Sequence, residues 1–333
     1  MSAEEGSRRQ RPEALWKEDD VLDGSKVRAM VLILRTSGCW WSRKKGCLMC
    51  GYNLASDREI TSEDIQAQIA SAKERYEGEP MLKVYTSGSF LDRNEVPLDA
   101  RAALFDAFPE ARSILFESRP EFVTADELES LPRARTKVAL GLESADDEVL
   151  RLCIRKGFKV SDYQKAAETL RSAGIGVRTY LLLKPPFMTE SQAMRDTIAS
   201  VGFAAPYSES ISINPLNVQK DTLVEKLWRR GDYRPPWFWT LLEVLRLAKE
   251  MTDIRVFSSP SGAGTPRGIH NCPQCDQHAI EAIRRFSFSQ DLSDLKVPEC
   301  DCHDRWLADI RLAGTMRTSV DVERYLADDL LFQ

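Results

Sequence analysis

The fold is decided by residues 26–50, KVRAMVLILRTSGCWWSRKKGCLMC, in which an apolar run leads directly into three cysteines. The run at residues 26–36 predicts a β-strand, because aliphatic residues dominate it and several residues are β-branched. Cys39, Cys47 and Cys50 follow with the spacing C-x7-C-x2-C. The segment between the first two cysteines is polar and basic, unlike a buried core. We therefore predict a metal site at the carboxyl end of this first strand.

Outward from this stretch, strand-like apolar runs alternate with segments of helical period about six times between residues 25 and 258. Such alternation with short links predicts parallel strands joined by right-handed crossovers. A closed eight-fold barrel typically needs about 250 residues, so we expect an α/β fold with a partial (β/α)6 barrel. A flat doubly wound sheet is the alternative. We expect residues 1–24 to form a loosely ordered extension and residues 259–333 a small metal-binding appendage with helices.

Polar residues recur where the predicted strands end. The six ends read Ser37-Gly38-Cys39, Ser87-Gly88-Ser89, Glu117-Ser118-Arg119, Glu143-Ser144, Lys184-Pro185-Pro186 and Asn214-Pro215-Leu216-Asn217. The carboxyl ends of parallel strands converge on one face of a barrel or open sheet, and active sites are built there. The pattern predicts that the first cysteines and these side chains share one functional face.

Three thiolates at one strand end suit an iron–sulfur cluster. Three protein ligands on a four-iron cluster leave one iron open for a substrate or cofactor. A zinc ion would need a fourth ligand, and no His, Cys or Asp lies within six residues of the group on either side. Zinc with a distant fourth ligand is the alternative.

A second group of cysteines lies near the carboxyl terminus. Its members are Cys272, Cys275, Cys300 and Cys302. Two cysteine pairs separated by a predicted helix are a common arrangement of structural zinc sites. We expect Zn²⁺ bound by these four thiolates, and a second iron–sulfur cluster is the alternative.

Charge and hydropathy limit the location and the partners of the chain. Its 333 residues carry a net charge of −5, so an RNA substrate would need a local basic patch. Candidates for that patch are residues 43–45 and the stretch containing Arg229, Arg230 and Arg234. The sequence contains no apolar run of about 18 residues and no apolar segment in its first 20 residues. We therefore expect a cytoplasmic protein without a membrane span.

A three-cysteine loop after the first strand of a β/α chain resembles the radical S-adenosylmethionine (SAM) superfamily, although the gap of seven residues is longer than usual there. The resemblance implies a [4Fe–4S] cluster on Cys39, Cys47 and Cys50, whose open iron chelates SAM. The SAM-binding residues implied by the resemblance are Ser87, Gly88, Ser89 and Glu117 for the ammonium group, Glu143 for the ribose, and Arg155 for the carboxylate. Surface ion pairs are the alternative for Glu117, Glu143 and Arg155.

Four phrases at the strand ends are similar to the archaeal radical SAM subunit of archaeosine synthase, the RaSEA family. They are TSGSFLD at residues 86–92, ESRPE at 117–121, KPPF at 184–187 and NPLNVQ at 214–219. The resemblance implies a lyase of tRNA modification that needs an electron donor and a lysine-transferring partner protein. The partner attaches lysine to 7-cyano-7-deazaguanine at position 15 of tRNA, and the radical enzyme splits the adduct to form archaeosine. We expect Lys184, Asn214 and Asn217 to contact the modified base.

Two other functions stay open. One is another radical SAM tRNA-modifying enzyme, related to the Elongator catalytic subunit. The other is a non-catalytic, metal-stabilised scaffold that binds RNA. The set of Glu117, Glu143 and Arg155 favours an enzyme, because a scaffold has no need of a SAM site.

Overall fold

Strands and helices alternate along the chain in the computed structural model, which describes residues 8–315. The strands are β1 (Ala14–Leu22), β2 (Ser25–Ile33), β3 (Met81–Tyr85), β4 (Ser113–Ser118), β5 (Thr136–Glu143), β6 (Gly176–Leu183), β7 (Ser210–Pro215) and β8 (Arg255–Phe257). The α-helices discussed below are α1 (Ser62–Lys73), α2 (Leu98–Ala107), α3 (Ala125–Glu129), α4 (Val160–Ser172), α5 (Glu190–Ala204), α6 (Leu223–Arg230), α7 (Phe238–Met251), α8 (Asp276–Ser289) and α9 (Cys302–Thr315). A π-helix, Val149–Ile154, precedes α4. Within the described residues, no helix has both the length and the hydropathy of a bilayer span.

The strands form one sheet whose order follows the chain from β1 to β8. Parallel pairing joins β2 to β3, β3 to β4, β4 to β5, and β7 to β8. A parallel pair requires a crossover connection, and α1, α2 and α3 lie in the first three crossovers. The predicted α/β class is confirmed, and the six predicted strand–helix units correspond to β2 through β7.

The N-terminal segment differs from our expectation. Ala14–Leu22 pairs antiparallel with β2 over its whole length, so the prediction of a loosely ordered extension is wrong for these residues. The turn between the strands is Asp23-Gly24, with φ of 52° and 75°. An Asp-Gly pair at positive φ is a strong hairpin signal, because its twist matches that of the flanking strands. Residues 1–7 of the predicted extension lie outside the described residues.

The described chain divides into two compact units. The first unit contains residues 8–44, Tyr52–Gly141 and Ser161–Arg178, and the second contains Lys45–Gly51, Leu142–Val160 and residues 179–315. The predicted boundaries after residues 24 and 258 follow a different division and stay predictions.

The core of the second unit includes part of the cysteine loop. Leu48, which lies between the second and third cysteines, is buried in this core. Its other buried members are Leu150, Ile154, Leu182, Leu216, Val218, Leu223, Val224, Leu227 and Tyr233. Burying an aliphatic side chain of this size contributes roughly 1.5–3 kcal/mol. The core therefore anchors the C-x2-C pair of the first cysteine group.

Candidate active site and metal centre

Cys39 lies just beyond β2 and against the turn at residues 87–89 of the first unit. A Cβ atom at Gly88 would lie 2.6 Å from the Cys39 Cα and would also meet the Glu95 carboxylate. Only glycine fits so close an approach of two backbone segments. The Cys39 thiol is half-buried and free of any disulfide. The structure thus brings Cys39 and Gly88, two predicted site residues, into contact.

Glu95 is a buried carboxyl group that sequence reasoning missed. It accepts hydrogen bonds from the Thr36 hydroxyl at 2.8 Å and from the Ser89 backbone N–H at 2.6 Å. Burial raises the pKa of Glu95, although these hydrogen bonds act in the opposite direction. Through Glu95, the end of β2 is tied to the turn that contacts Cys39. No local motif marks this acid, because Thr36 comes from the end of another strand and the Ser89 N–H is a backbone group that any residue supplies.

The end of β4 is pinned to the same turn. The Glu117 carbonyl accepts from the Phe90 backbone N–H at 2.9 Å. The Arg119 backbone N–H donates to the Ser89 hydroxyl at 3.1 Å. Glu117 therefore adjoins the turn predicted to receive the SAM ammonium group, and its role toward SAM stays a prediction.

Cys47 and Cys50 lie in the second unit, in a turn closed by a 3.3 Å hydrogen bond from the Cys50 N–H to the Cys47 carbonyl. The Leu48 N–H donates to the Ile154 carbonyl at 3.0 Å. Both thiols are half-buried and free of any disulfide. Their backbone is thus held by the π-helix and by the buried Leu48 side chain.

Arg155 follows the π-helix and holds the cysteine loop. Its Nε donates to the Gly46 carbonyl at 2.8 Å and its Nη2 to the Lys45 carbonyl at 2.7 Å. Arg155 adopts φ 57°, and burial lowers the pKa of its guanidinium group. The observed contacts give Arg155 a role in shaping the loop. The predicted contact with the SAM carboxylate stays a prediction.

Glu143 forms an ion pair within the second unit. Its Oε1 accepts from the Lys156 Nζ at 2.7 Å, and both side chains are largely shielded from solvent. The alternative that the sequence left open for Glu143 was a surface ion pair, and the observed pair is instead shielded. The predicted contact with the SAM ribose stays a prediction.

Lys184, at the end of β6, is buried and paired. Its Nζ donates to Glu190 Oε1 at 2.8 Å, and the two residues are 8% and 4% exposed. The Tyr233 hydroxyl donates to the Lys184 carbonyl at 2.8 Å, and Lys184 adopts φ 59°. Sequence reasoning missed Glu190, because an acid in the first turn of a helix is usually explained by the helix dipole.

The other two predicted substrate residues also lie in the second unit. Asn214 Oδ1 accepts from the Ser212 hydroxyl at 3.0 Å. Asn217 Oδ1 lies 3.0 Å from the position that a Cβ atom at Gly262 would take. Their roles and that of Lys184 toward the modified base stay predictions.

The four C-terminal cysteines converge on one point. The separations between sulfurs are 3.5 Å for Cys272–Cys275, 3.5 Å for Cys272–Cys300 and 3.4 Å for Cys275–Cys302. All four sulfurs lie within 4.8 Å of one another. Bonds of about 2.3 Å to one tetrahedral ion would place the sulfurs about 3.8 Å apart. The group therefore has the geometry of a four-thiolate site for a single metal ion.

Two N–H groups point at the sulfurs of this centre. Trp239 Nε1 donates to Cys302 Sγ at 3.2 Å, and Asn271 Nδ2 donates to Cys275 Sγ at 3.6 Å. Hydrogen bonds of this kind orient metal ligands and disperse thiolate charge. The His303 ring packs edge-on against Trp239, with 5.0 Å between ring centroids. The four thiolates thus complete a ligand set without a histidine.

Comparison with known proteins agrees with these observations. The family described as the Radical SAM superfamily matches residues 33–197, which include the three loop cysteines. The chain is 41% identical over 306 residues to archaeosine synthase subunit beta of Methanosarcina acetivorans, covering 89% of this chain and 88% of that protein. The chain belongs to the archaeosine synthase subunit beta family. The predicted family and the radical SAM type of fold are confirmed.

A second member of the archaeosine synthase subunit beta family comes from Thermococcus kodakarensis. It is 39% identical to this chain, over 87% of this chain and 94% of its own length. Among solved structures, methylornithine synthase aligns with a TM-score of 0.50 at 16% identity, over 68% of this chain and 63% of that one. That likeness concerns the fold alone. Membership in the family implies a [4Fe–4S] cluster and SAM, and three half-buried cysteines outside any disulfide are the donors that such a cluster takes.

Proposed function

We propose that this chain is the radical SAM lyase that splits a lysine adduct of 7-deazaguanine in tRNA and thereby forms archaeosine. The observation that carries the proposal is the 41% identity to archaeosine synthase subunit beta, which extends over 89% of the chain. The match extends well beyond residues 33–197, to which the superfamily match is confined. The proposal includes a partner subunit that attaches the lysine, an electron donor, and a cytoplasmic location.

The ligands of the cluster would be Cys39, Cys47 and Cys50. They would be catalytic residues because they bind the cofactor that reacts. When bound, the cluster and SAM supply a radical that abstracts hydrogen from the lysine part of the substrate. The turn at residues 87–89, held against Cys39 by the close approach at Gly88, would accept from the SAM ammonium group with its backbone carbonyls. Glu117 adjoins this turn and would add a negative charge.

The remaining assignments concern orientation. Glu143 would accept from the ribose hydroxyls with its carboxylate, and Arg155 would orient the SAM carboxylate while its other N–H groups hold the loop. Lys184 carries a buried ammonium group held by Glu190, so its position is defined before substrate arrives. Asn214 and Asn217 offer amide groups that suit the polar edge of a modified base.

The C-terminal centre would hold Zn²⁺. Sulfur separations of 3.4 and 3.5 Å suit ligands that share one ion. In a four-iron cluster each thiolate binds a different iron, so the sulfurs would lie much farther apart. Four protein ligands close the coordination sphere, and the ion would therefore be structural.

The test is anaerobic reconstitution followed by reaction with SAM, dithionite and lysine-modified tRNA. We expect 5′-deoxyadenosine and archaeosine, together with about four irons and one zinc per chain. No 5′-deoxyadenosine would overturn the catalytic assignment in favour of a scaffold. Formation of 5′-deoxyadenosine with another tRNA, without archaeosine, would favour an enzyme related to the Elongator catalytic subunit.

A further inference from the structure

The loop between the first two cysteines has a charge unlike that of the whole chain. The chain carries a net charge of −5, yet no Asp or Glu occurs from residue 24 to residue 56. Three consecutive cations, Arg43, Lys44 and Lys45, lie in this stretch, and all three are exposed. A local positive field on an acidic protein attracts polyanions to that place.

Two indoles stand beside these cations. The ring centroids of Trp40 and Trp41 are 5.8 Å apart, at an interplanar angle of 66°. The Lys44 Nζ lies 4.5 Å from the Trp40 ring centroid. Both indoles are only partly buried, so aromatic surface and positive charge are presented together.

Residues that follow β4 hold Trp40 and lie close to Trp41. Trp40 Nε1 donates to Glu121 Oε1 at 2.9 Å, and Arg119 Nε donates to the same oxygen at 2.6 Å. The Arg119 guanidinium lies 6.0 Å from the Trp40 ring and 5.9 Å from the Trp41 ring. The carboxylate of Glu121 is thus engaged by these two groups. A rigid aromatic pair binds a stacking partner at a lower entropic cost than a mobile one.

Arg43 connects this surface to the first cysteine. Its Nη1 donates to the Ser37 carbonyl at 3.2 Å and to the Gly38 carbonyl at 3.0 Å. These carbonyls immediately precede Cys39. The basic and aromatic residues are therefore held at a defined place next to a cluster ligand.

We propose that residues 40–45, the loop surface, dock the tRNA substrate beside the cluster. The cations pair with phosphates, and an indole stacks on an unpaired base next to the target nucleotide. Phosphate neutralisation and base stacking are the two terms by which proteins bind unpaired nucleic acid. Tryptophan and arginine also anchor protein interfaces, so binding of an acidic protein is the outcome that the test below separates from RNA docking. The inference rests on the proposed function for its choice of tRNA and adds the site where that tRNA docks.

The test compares two pairs of neutralised cations. K44Q/K45Q removes two charges from the loop surface and leaves Arg43 in place to hold the loop. K26Q/R28Q removes two charges from the opposite end of β2, where both side chains are exposed and pair with Asp19. Affinity for a transcribed tRNA is measured with the anaerobically reconstituted protein over a range of KCl concentrations.

We expect K44Q/K45Q to bind tRNA about 10-fold more weakly at ~0.1 M salt, with the slope of log Kd against log [KCl] reduced by about 1–2. K26Q/R28Q should stay within about 2-fold of the wild type. Both variants should retain their iron content and form 5′-deoxyadenosine from SAM without tRNA. Equal affinities for the wild type and K44Q/K45Q, or equal losses in the two variants, would overturn the proposal.

Stacking is tested separately at Trp41. W41A should weaken tRNA binding by about 5- to 50-fold, and W41F should restore most of it, because any aromatic ring stacks on a base. Iron content reports whether the loop still folds. If K44Q/K45Q loses affinity for the partner subunit while its tRNA affinity holds, the surface binds protein and the RNA proposal is wrong.

The tests distinguish an error in the docking proposal from an error in the proposed reaction. If the wild type forms archaeosine and K44Q/K45Q binds tRNA equally well, only the docking proposal is wrong. If the wild type forms no archaeosine but its salt-dependent tRNA binding is lost in K44Q/K45Q, the reaction is wrong and the docking surface stands.

Discussion

Both cysteine groups contain a C-x2-C pair, Cys47 with Cys50 and Cys272 with Cys275. In the first group all three thiols are half-buried. In the second, Cys275 and Cys302 are buried, and four sulfurs lie within 4.8 Å of one another. The same local motif therefore serves two kinds of site. The number of additional thiolates decides whether a coordination position stays open for a ligand or the site is closed.

Hydrogen bonds connect the second cysteine group to Lys184, at the end of β6. Trp306 lies one turn after Cys302 in α9, and its Nε1 donates to the Thr240 hydroxyl at 2.8 Å. That hydroxyl donates to Glu190 Oε2 at 2.7 Å, and Glu190 also holds Lys184. The second group is thus connected to a residue predicted to contact substrate, whereas we propose that the first group holds the reacting cofactor.

The largest expected effect tests the first cysteine group, whose proposed cluster has one open iron. C47A should abolish formation of 5′-deoxyadenosine, a loss of at least about 1,000-fold, because a cluster without a full ligand set cannot present SAM. Iron content and anaerobic turnover measure this. Cys153 supplies the matched control, since it is a buried thiol in neither group. Burial raises its pKa to about 12, so it is a poor ligand, and C153A should keep both metals. Turnover by C47A would refute the ligand assignment.

The next effect tests the second cysteine group, whose four thiolates would fill the coordination sphere of one ion. C275S should lose the zinc equivalent and on the order of 5 kcal/mol of unfolding free energy, because metal binding and folding are coupled. Metal analysis and urea unfolding of the same samples measure it. C153A, with one buried thiol fewer, should lose only about 1–2 kcal/mol. A C275S protein that keeps its zinc and its stability would contradict a structural metal.

A smaller effect tests the ion pair between Lys184 and Glu190, to which hydrogen bonds connect the second cysteine group. E190Q should cost about 3 kcal/mol, because it leaves the buried Lys184 ammonium without its counter-charge. K184M/E190Q removes both charges and should recover much of that loss. Urea unfolding of the wild type, both single variants and the double variant gives the coupling. If the double variant loses as much unfolding free energy as K184M and E190Q together, the ion pair is not the cause of the loss.

The smallest effect concerns Asp196, which belongs to neither cysteine group. Burial raises its pKa to about 6, and the Ser144 hydroxyl donates to its Oδ1 at 2.7 Å. The folded state therefore binds the Asp196 proton more tightly than the unfolded state does. This difference contributes fully to the free energy of unfolding below about pH 4, and the contribution is lost as the pH rises through 6. D196N should gain about 1–2 kcal/mol over the wild type at pH 7 and less at pH 5. A difference that does not change between these pH values would contradict the raised pKa.

The sequence by itself determined the α/β class, the two cysteine groups and the family. Apolar periodicity sets which segments become buried strands, and the phrases at the strand ends are local strings that need no structure to be compared. Thr61 illustrates this local character: it caps the start of α1, and its side chain accepts from the Asp64 N–H. Such features depend on neighbours within a few residues along the chain.

Only the tertiary structure decided which charged groups meet. Glu95 is joined to Thr36 and Ser89 by hydrogen bonds across two strand ends. Glu143 is matched with Lys156, and Arg155 is turned toward loop carbonyls. The sulfur separations of the C-terminal centre likewise follow from the folding that brings residues 272–275 and 300–302 together. The distances between these groups are set by the path of the backbone that separates them, and residue types alone do not specify that path.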